Sequence, residues 1–185
     1  MKVYSVRGFL DADLCRRIRM AMDRGAAEPA EVLRDQMTVE ELVRHATSIE
    51  VDATTLDLVE QSLDTQRSVL EKFFGESLGA REGTNFLRYD NGGFYLRHRD
   101  RARIASWPGA ARRRLTVVVF LNSGREADTS GSFTGGTLCL FPEGEEQTID
   151  IHPREGTLVA FPATLRHEVA LVRSGTRDTI VDWFY

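Results

Sequence analysis

Leu14, Ile18 and Met22 recur at a spacing of four, with Cys15 beside them. That is the period of an amphipathic α-helix, and Asp11 stands where its N-cap belongs. The pattern predicts a helix from Asp11 to near Gly25, preceded by a short strand over Lys2–Val6. Residues 26–46 lose the period: Ala-Ala-Glu-Pro breaks it, and charged residues with scattered apolar positions fill the remainder. Short helical turns or a mobile loop are expected there, with a strand over Ser48–Val51. From Thr54 to Phe74 the helical period returns, with Leu56, Val59, Leu63, Leu70 and Phe73 on one face. Thr54 and Thr55 are candidate caps, and Gly75 stops the helix.

After Gly83 the pattern changes. Short runs rich in Val, Ile, Thr, Phe and Tyr alternate with Gly, Pro, Asn and Asp. Candidate strands are Asn85–Tyr89, Phe94–Arg97, Leu115–Asn122, Gly136–Phe141, Gln147–Ile151, Thr157–Phe161, Glu168–Val172 and Thr179–Phe184. Such spacing predicts a β sandwich or barrel. The fold class is therefore mainly β with N-terminal helices: helical support over about 10–75 and a β core over about 84–185. The Ser/Gly/Thr-rich stretch Ser123–Gly136 is the candidate long mobile loop.

The 185 residues suit one domain spanning 1–185, with a core that needs no staples. A net charge of −4 and a pI near 5.6 argue against nucleic acid as the main partner. No run is long and apolar enough for a membrane span, and no signal peptide is visible, so the expected location is the cytoplasm. Cys15 and Cys139 each sit in an apolar run and read as buried thiols of a reducing compartment. Oligomeric state is not encoded in these patterns.

The candidate chemistry lies in three residues. His98 and Asp100 form an H-x-D at the end of a predicted strand, where residues two apart share a face. His167 lies at the start of another predicted strand. Two histidines and one carboxylate form the facial triad of non-haem iron(II) oxygenases, which leaves positions open on the metal for co-substrates. Taken alone, an H-x-D is more often a surface pair. His45, in a charged stretch expected to be helical, and His152, before Pro153, read as solvated residues.

Arg177 strengthens the pattern. A 2-oxo diacid carries a distal carboxylate, and the planar guanidinium fork pairs with one bidentately. In a plain hairpin across the turn Arg173–Thr176, Arg177 would stand about 17 Å along the strand from His167, too far for a shared site. In a jelly roll the same turn can cross between sheets and return Arg177 to the metal. Read in isolation, Arg177 is as well a surface turn arginine.

The stretches FLRYDNGGFYLRHRD, VVFLN, GGTLCLFPEG, GTLVAFPATLRHEV and GTRDTIVDWFY together resemble the prolyl 4-hydroxylase-type 2-oxoglutarate/Fe(II) dioxygenases. The GGTLCLFPEG stretch is most similar to the oxygen-sensing prolyl hydroxylases and their bacterial relatives. The resemblance covers about Phe86–Tyr185, with a weaker match at GFLDADLC. It implies a double-stranded β-helix, a cupin-like jelly roll buttressed by helices. It implies His98, Asp100 and His167 as ligands of Fe(II), and Arg177, Tyr89 and Leu138 around 2-oxoglutarate. O2 is the oxidant, and ascorbate a candidate reductant. The carboxylate of Asp100 favours hydroxylation over halogenation. One departure is a second co-substrate tyrosine of the oxygen-sensing subgroup, whose matching position here is Val119. The single basic residue in the last strand argues against the nucleic-acid demethylase branch.

The expected activity is hydroxylation of a prolyl residue in a protein or peptide, with succinate and CO2 as co-products. Two alternatives stand beside it: a small-molecule or free amino acid hydroxylase on the same scaffold, and a cupin-like metal-binding module without oxygenase activity. Ala26–Ile49 and Ser123–Gly136 are candidate groove walls. Arg101, Arg103 and Arg112–Arg114 cluster around Trp107-Pro108. Trp107 and Arg101 are candidate substrate contacts. Trp107 reads equally as a loop anchor, and the cluster as a solvated loop.

Overall fold

The computed structural model describes residues 2–33, 37–102, 108–125, 132–144 and 147–185. In chain order it opens with β1 (Tyr4–Val6) and α1 (Ala12–Met22). Five short strands come next: β2 (Ala27–Pro29), β3 (Val32–Leu33), β4 (Met37–Thr38), β5 (Arg44–His45) and β6 (Thr47–Ile49). Then come α2 (Ala53–Asp64), α3 (Arg67–Phe74), β7 (Asn85–Tyr89), β8 (Phe94–His98) and a 3-10 turn over Pro108–Arg112. The remaining strands are β9 (Leu115–Phe120), β10 (Phe133–Gly135), β11 (Leu138–Phe141), β12 (Ile149–Ile151), β13 (Leu158–Pro162), β14 (Arg166–Val169), β15 (Val172–Gly175) and β16 (Arg177–Phe184). No helix among the described residues is long and apolar enough to cross a membrane.

The strands form a major sheet, β1-β13-β9-β16-β7-β6-β2, and a minor sheet, β12-β11-β14-β8-β5. All pairings between the strands of these two sheets are antiparallel. From β7 onward the chain repeatedly crosses from one sheet to the other, as a jelly roll requires. Consecutive residues of β9 show why its LTVVVF run is buried on both faces. Leu115, Val117 and Val119 join Cys15, Ile18, Val59, Leu63 and Leu70 of the helices in one core. Val118 and Phe120 join Leu138, Leu140 and Phe161 in a second core between the sheets. A strand covered on both sides reads as a continuous apolar run. Burying a side chain such as Phe120 or Phe161 fully contributes about 2 kcal/mol.

The first helix forms as expected: the Asp11 carboxylate accepts from Leu14 N at 2.8 Å. The second breaks in two between Asp64 and Arg67. Thr65 ends α2, and its hydroxyl bonds back to Ser62 O at 2.6 Å, competing with the helical ladder. Asp52 caps α2, accepting from Thr55 N, rather than Thr54 or Thr55 serving as cap. Gly75, at φ 76, ends α3. After the break Phe73 is partly exposed, while Phe74 packs on the core.

Residues 26–46 depart further from expectation: beside one helical turn, where Arg44 N donates to Glu40 O at 2.9 Å, they hold β2 to β5. Strands of two or three residues carry no legible alternation; β2 is held by β6, β5 by β8, and β3 and β4 by each other. His45 thus stands on a strand, exposed, with Nδ1 3.2 Å from Gly92 O. Part of the expected loop Ser123–Gly136 is ordered as β10, anchored by buried Phe133. The expected turn Arg173–Thr176 contains most of β15, the partner of β10.

Candidate metal centre and co-substrate pocket

His98 ends β8 and His167 lies on the neighbouring β14, directly opposite it in register. A bulge separates this pair from Val169↔Tyr95. Tyr95 and His98, three residues apart, would otherwise face opposite ways. The extra residue turns both rings to one side, where they stack at 3.6 Å. Asp100 lies just past the strand end, its backbone N–H donating to Ala163 O at 3.1 Å. The three side chains converge: Nε2 of His98 is 3.3 Å from Asp100 Oδ1, and Nε2 of His167 is 3.4 Å from Oδ2. One donor atom from each lies within 4.8 Å of the others.

Each imidazole is oriented by the chain itself. Nδ1 of His98 meets Leu96 O at 2.8 Å, and Nδ1 of His167 meets Leu165 O at 2.9 Å. With Nδ1–H donating to a carbonyl, the lone pair sits on Nε2, which faces the carboxylate. Burial works against ionisation of Asp100. The His167 and His98 imidazoles and the Trp183 N–H outweigh it, holding the carboxyl far below the usual carboxylate range. Burial also pulls His167 down to about 4, against the opposing pull of Asp100. A charged carboxylate beside a neutral imidazole is the protonation state that binds a divalent ion. The donor set fits iron(II): two borderline nitrogens and one hard oxygen.

Asp100 is fastened by residues that sequence reasoning did not single out. Its Oδ2 accepts from Thr116 Oγ1 at 2.7 Å and from Trp183 Nε1 at 2.9 Å. Its carbonyl accepts from Arg113, which pairs with Glu82 at 2.5 Å and lies over the Trp183 ring. Thr116 and Trp183 stood in the apolar runs of predicted strands, and only the alternation of facing could have marked them. Arg113, expected in a solvated cluster, is buried. Its neighbours are also engaged: Arg112 lies over the Tyr185 ring, and Arg114 is 3.5 Å from Glu76.

Arg177 is buried at 1% exposure and lines a cavity of about 540 Å³ with His98, Asp100 and His167. It stands on β16 in the major sheet, whereas His167 stands on β14 in the minor one. The crossing between sheets, rather than a hairpin, returns the guanidinium to the cavity. Its Nε donates to Gly136 O at 2.9 Å and Nη1 to Thr179 Oγ1 at 3.3 Å. No carboxylate among the described residues forms an ion pair with it. Burial pulls its pKa down to about 10, with Tyr89 and Asp178 opposing. A buried guanidinium without an anion is costly unless a ligand supplies one. Tyr89 pairs with Arg177 in register, its ring 5.1 Å from the guanidinium, and buried Leu138 lines the same cavity.

Val119 is not where the missing tyrosine would act, since its side chain belongs to the helix-side core. Phe120, next along β9, turns inward and lies 5.4 Å from the Arg177 guanidinium. The position facing Arg177 therefore carries an aromatic ring without a hydroxyl. Arg101 is exposed, donates to Ala111 O and is not part of the cavity lining. Trp107 and Arg103 lie outside the described residues. Glu28, Glu31, Val39, Arg44 and Ser48 supply one rim of the cavity, as expected of Ala26–Ile49; the described part of Ser123–Gly136 does not line it. His152 is exposed, with Nδ1 3.5 Å from the Thr137 hydroxyl. Both cysteines are free. Cys15 is buried and Cys139 half-buried, and burial pushes the thiols up to about 11 and about 12, so neither offers a thiolate.

A family model described as the 2OG-Fe(II) oxygenase superfamily matches residues 84–185, the stretch that contains the triad and Arg177. The chain belongs to this superfamily. Membership brings the need for Fe(II), 2-oxoglutarate and O2. The chain is similar to a PKHD-type hydroxylase of Acaryochloris marina, 33% identical over 101 residues, 53% of this chain and 39% of that protein. It is also similar to Egl nine homolog 1 of Rattus norvegicus, 35% identical over 97 residues, 51% of this chain and 25% of that protein. The chain thus spans well under half the length of these relatives. A crystal structure of a Pseudomonas putida prolyl-4-hydroxylase superposes with a TM-score of 0.76 at 25% identity, covering 98% of this chain and 91% of that one. A Trichoplax adhaerens prolyl hydroxylase, solved with a hypoxia inducible factor peptide fragment, gives a TM-score of 0.81 at 19% identity, covering 99% and 83%. The superfamily fold seen here is the double-stranded β-helix.

Proposed function

We propose that this chain is a 2-oxoglutarate- and Fe(II)-dependent hydroxylase acting on a prolyl residue of a protein or peptide. The observation that carries this reading is the opening of two imidazoles, one carboxylate and an anion-free buried guanidinium into a single cavity. His98 Nε2, a carboxylate oxygen of Asp100 and His167 Nε2 would hold the iron. Arg177 would take the distal carboxylate of 2-oxoglutarate, with Tyr89 and Leu138 beside it. O2 would be the oxidant: bound iron would activate it, one oxygen atom going to the substrate carbon and the other to 2-oxoglutarate, which leaves as succinate and CO2. The protein's part is to orient and exclude. The backbone carbonyls of Leu96 and Leu165 fix the imidazole tautomers. Thr116 and Trp183 hold the carboxylate, and the apolar walls Val118, Leu138 and Val169 keep water from the reacting carbon.

The prolyl target rests on the prolyl-4-hydroxylase and Egl nine likenesses. Helices and sheets share one core, so we take residues 1–185 as one dioxygenase domain. Free thiols on both cysteines suit a reducing compartment such as the cytoplasm. Anaerobic addition of Fe(II) and 2-oxoglutarate should produce a visible charge-transfer band. Aerobic incubation with ascorbate and a proteome extract should yield peptides oxidised by one oxygen atom at proline. Absence of the band removes the oxygenase reading. Oxidised metabolites without oxidised peptides move the target to small molecules.

A further inference from the structure

Arg44 stands on β5, the edge strand beside β8, and lines the mouth of the cavity. Its guanidinium lies over the Tyr95 ring, 4.7 Å from the centroid, and Tyr95 stacks in turn on His98 at 3.6 Å. The cation is the outer layer of a stack that ends on a candidate iron ligand. A planar guanidinium held on an aromatic face is fixed in orientation before any ligand arrives.

Its hydrogen bonding is incomplete. Nη1 donates to Glu31 O at 2.7 Å, while Nε is buried without an acceptor. Buried donors are nearly always satisfied, and one that is not calls for an explanation. No carboxylate among the described residues forms an ion pair with Arg44. Two other arginines line the cavity. Arg113 is paired with Glu82, and Arg177 lies deeper, on β16, where the co-substrate is assigned. Among the described residues, Arg44 is therefore the cavity-mouth cation that still lacks an anion.

We propose that Arg44 binds a carboxylate of the substrate at the cavity mouth, an inference that rests on the hydroxylase reading above. Two sources present the same chemistry: an acidic side chain beside the target residue of a peptide, or the α-carboxylate of a free amino acid or chain terminus.

Calorimetric titration of matched probes into the full chain loaded with Fe(II) and 2-oxoglutarate, without oxygen, tests this. N-acetyl-prolyl-glutamate amide is compared with its glutamine counterpart, and N-acetyl-proline with N-acetyl-prolinamide. The wild type should bind the charged member of one pair about tenfold more tightly or better, as a charge-assisted hydrogen bond would provide. Preference in the first pair identifies an acidic peptide, and in the second an α-carboxylate. Arg44→Gln should erase the preference, and Arg44→Lys should retain part of it. Equal binding of charged and neutral probes by the wild type overturns the proposal, as does a preference that survives Arg44→Gln. The charge-transfer band with 2-oxoglutarate is read in the same samples. Its presence in wild type and Arg44→Gln alike shows an intact site, whereas its absence from the wild type defeats the hydroxylase reading instead.

Discussion

The indole N–H of Trp183, two residues from the end of the described chain, donates to Asp100 Oδ2 at 2.9 Å. Thr116 occupies the same oxygen, so the carboxylate is held by two donors before any ion arrives. Outer partners of this kind tune metal sites strongly. Trp183→Phe keeps an aromatic ring, smaller than the indole, and removes the N–H. It should weaken Fe(II) binding by about tenfold to a hundredfold. Anaerobic metal titration checks this; unchanged affinity would reduce Trp183 to packing.

The ligands themselves should behave more severely. His98→Ala or Asp100→Ala should abolish the charge-transfer band and succinate formation, because too few donors remain to hold iron in place. Normal succinate production by His98→Ala would contradict the assignment.

Arg177 tests the co-substrate. Arg177→Met replaces a buried cation with a shorter, flexible apolar chain. It should raise the 2-oxoglutarate requirement by roughly 2 kcal/mol or more, the penalty for removing one partner of a buried ion pair. Without ligand it should be as stable as wild type or more so, since an unpaired buried charge costs stability. Thermal melts with and without 2-oxoglutarate separate the two effects: wild type gains stability from the ligand and the variant gains little.

Gly136 gives a subtler probe. Its φ is +66, and a Cβ there would lie 2.8 Å from Arg177 Cδ. Gly136→Ala should push the arginine aside and weaken 2-oxoglutarate binding while metal affinity stays near wild type. Titrating the two ligands separately reads this.

Acid should loosen the metal-free protein early. His167 titrates near 4 when folded, below its ordinary 6.5, because burial disfavours its charged form. The unfolded chain therefore binds a proton in a range where the folded protein refuses it. Stability should fall as pH drops from about 6.5 toward about 4. Asp100, depressed by its partners, adds a further loss below its ordinary 3.8. Melting temperatures across this range should decline less steeply in His167→Gln than in wild type; equal slopes would remove His167 as the cause.

Much of this was legible in one dimension. The period of four before Met22, the β grammar after Gly83 and the H-x-D at a strand end are local patterns, and local patterns survive in sequence. His98, Asp100, His167 and Arg177 could be named because their chemistry is rare in combination. Residues 26–46 were misread because their strands are two or three residues long and are defined only by their partners, β2 by β6, β5 by β8, and β3 and β4 by each other. The inward ring near Arg177 was placed one residue off, at Val119. Facing along LTVVVF cannot be read when both sides of the strand are buried.

Side-chain type and local period alone determined the first helix, the β character of the chain after Gly83, the metal-binding residue types and the absence of a reactive thiol pair. Only the tertiary structure decided that the chain crosses between sheets after His167. That crossing brings Arg177 into the cavity and Trp183 onto Asp100, while the β9–β16 register sets Thr116 beside Trp183 and the β5–β8 pairing lays Arg44 over Tyr95. Such relations join residues far apart along the chain, and they are set by strand register and a single bulge in β8, which leave no periodic trace in the order of amino acids.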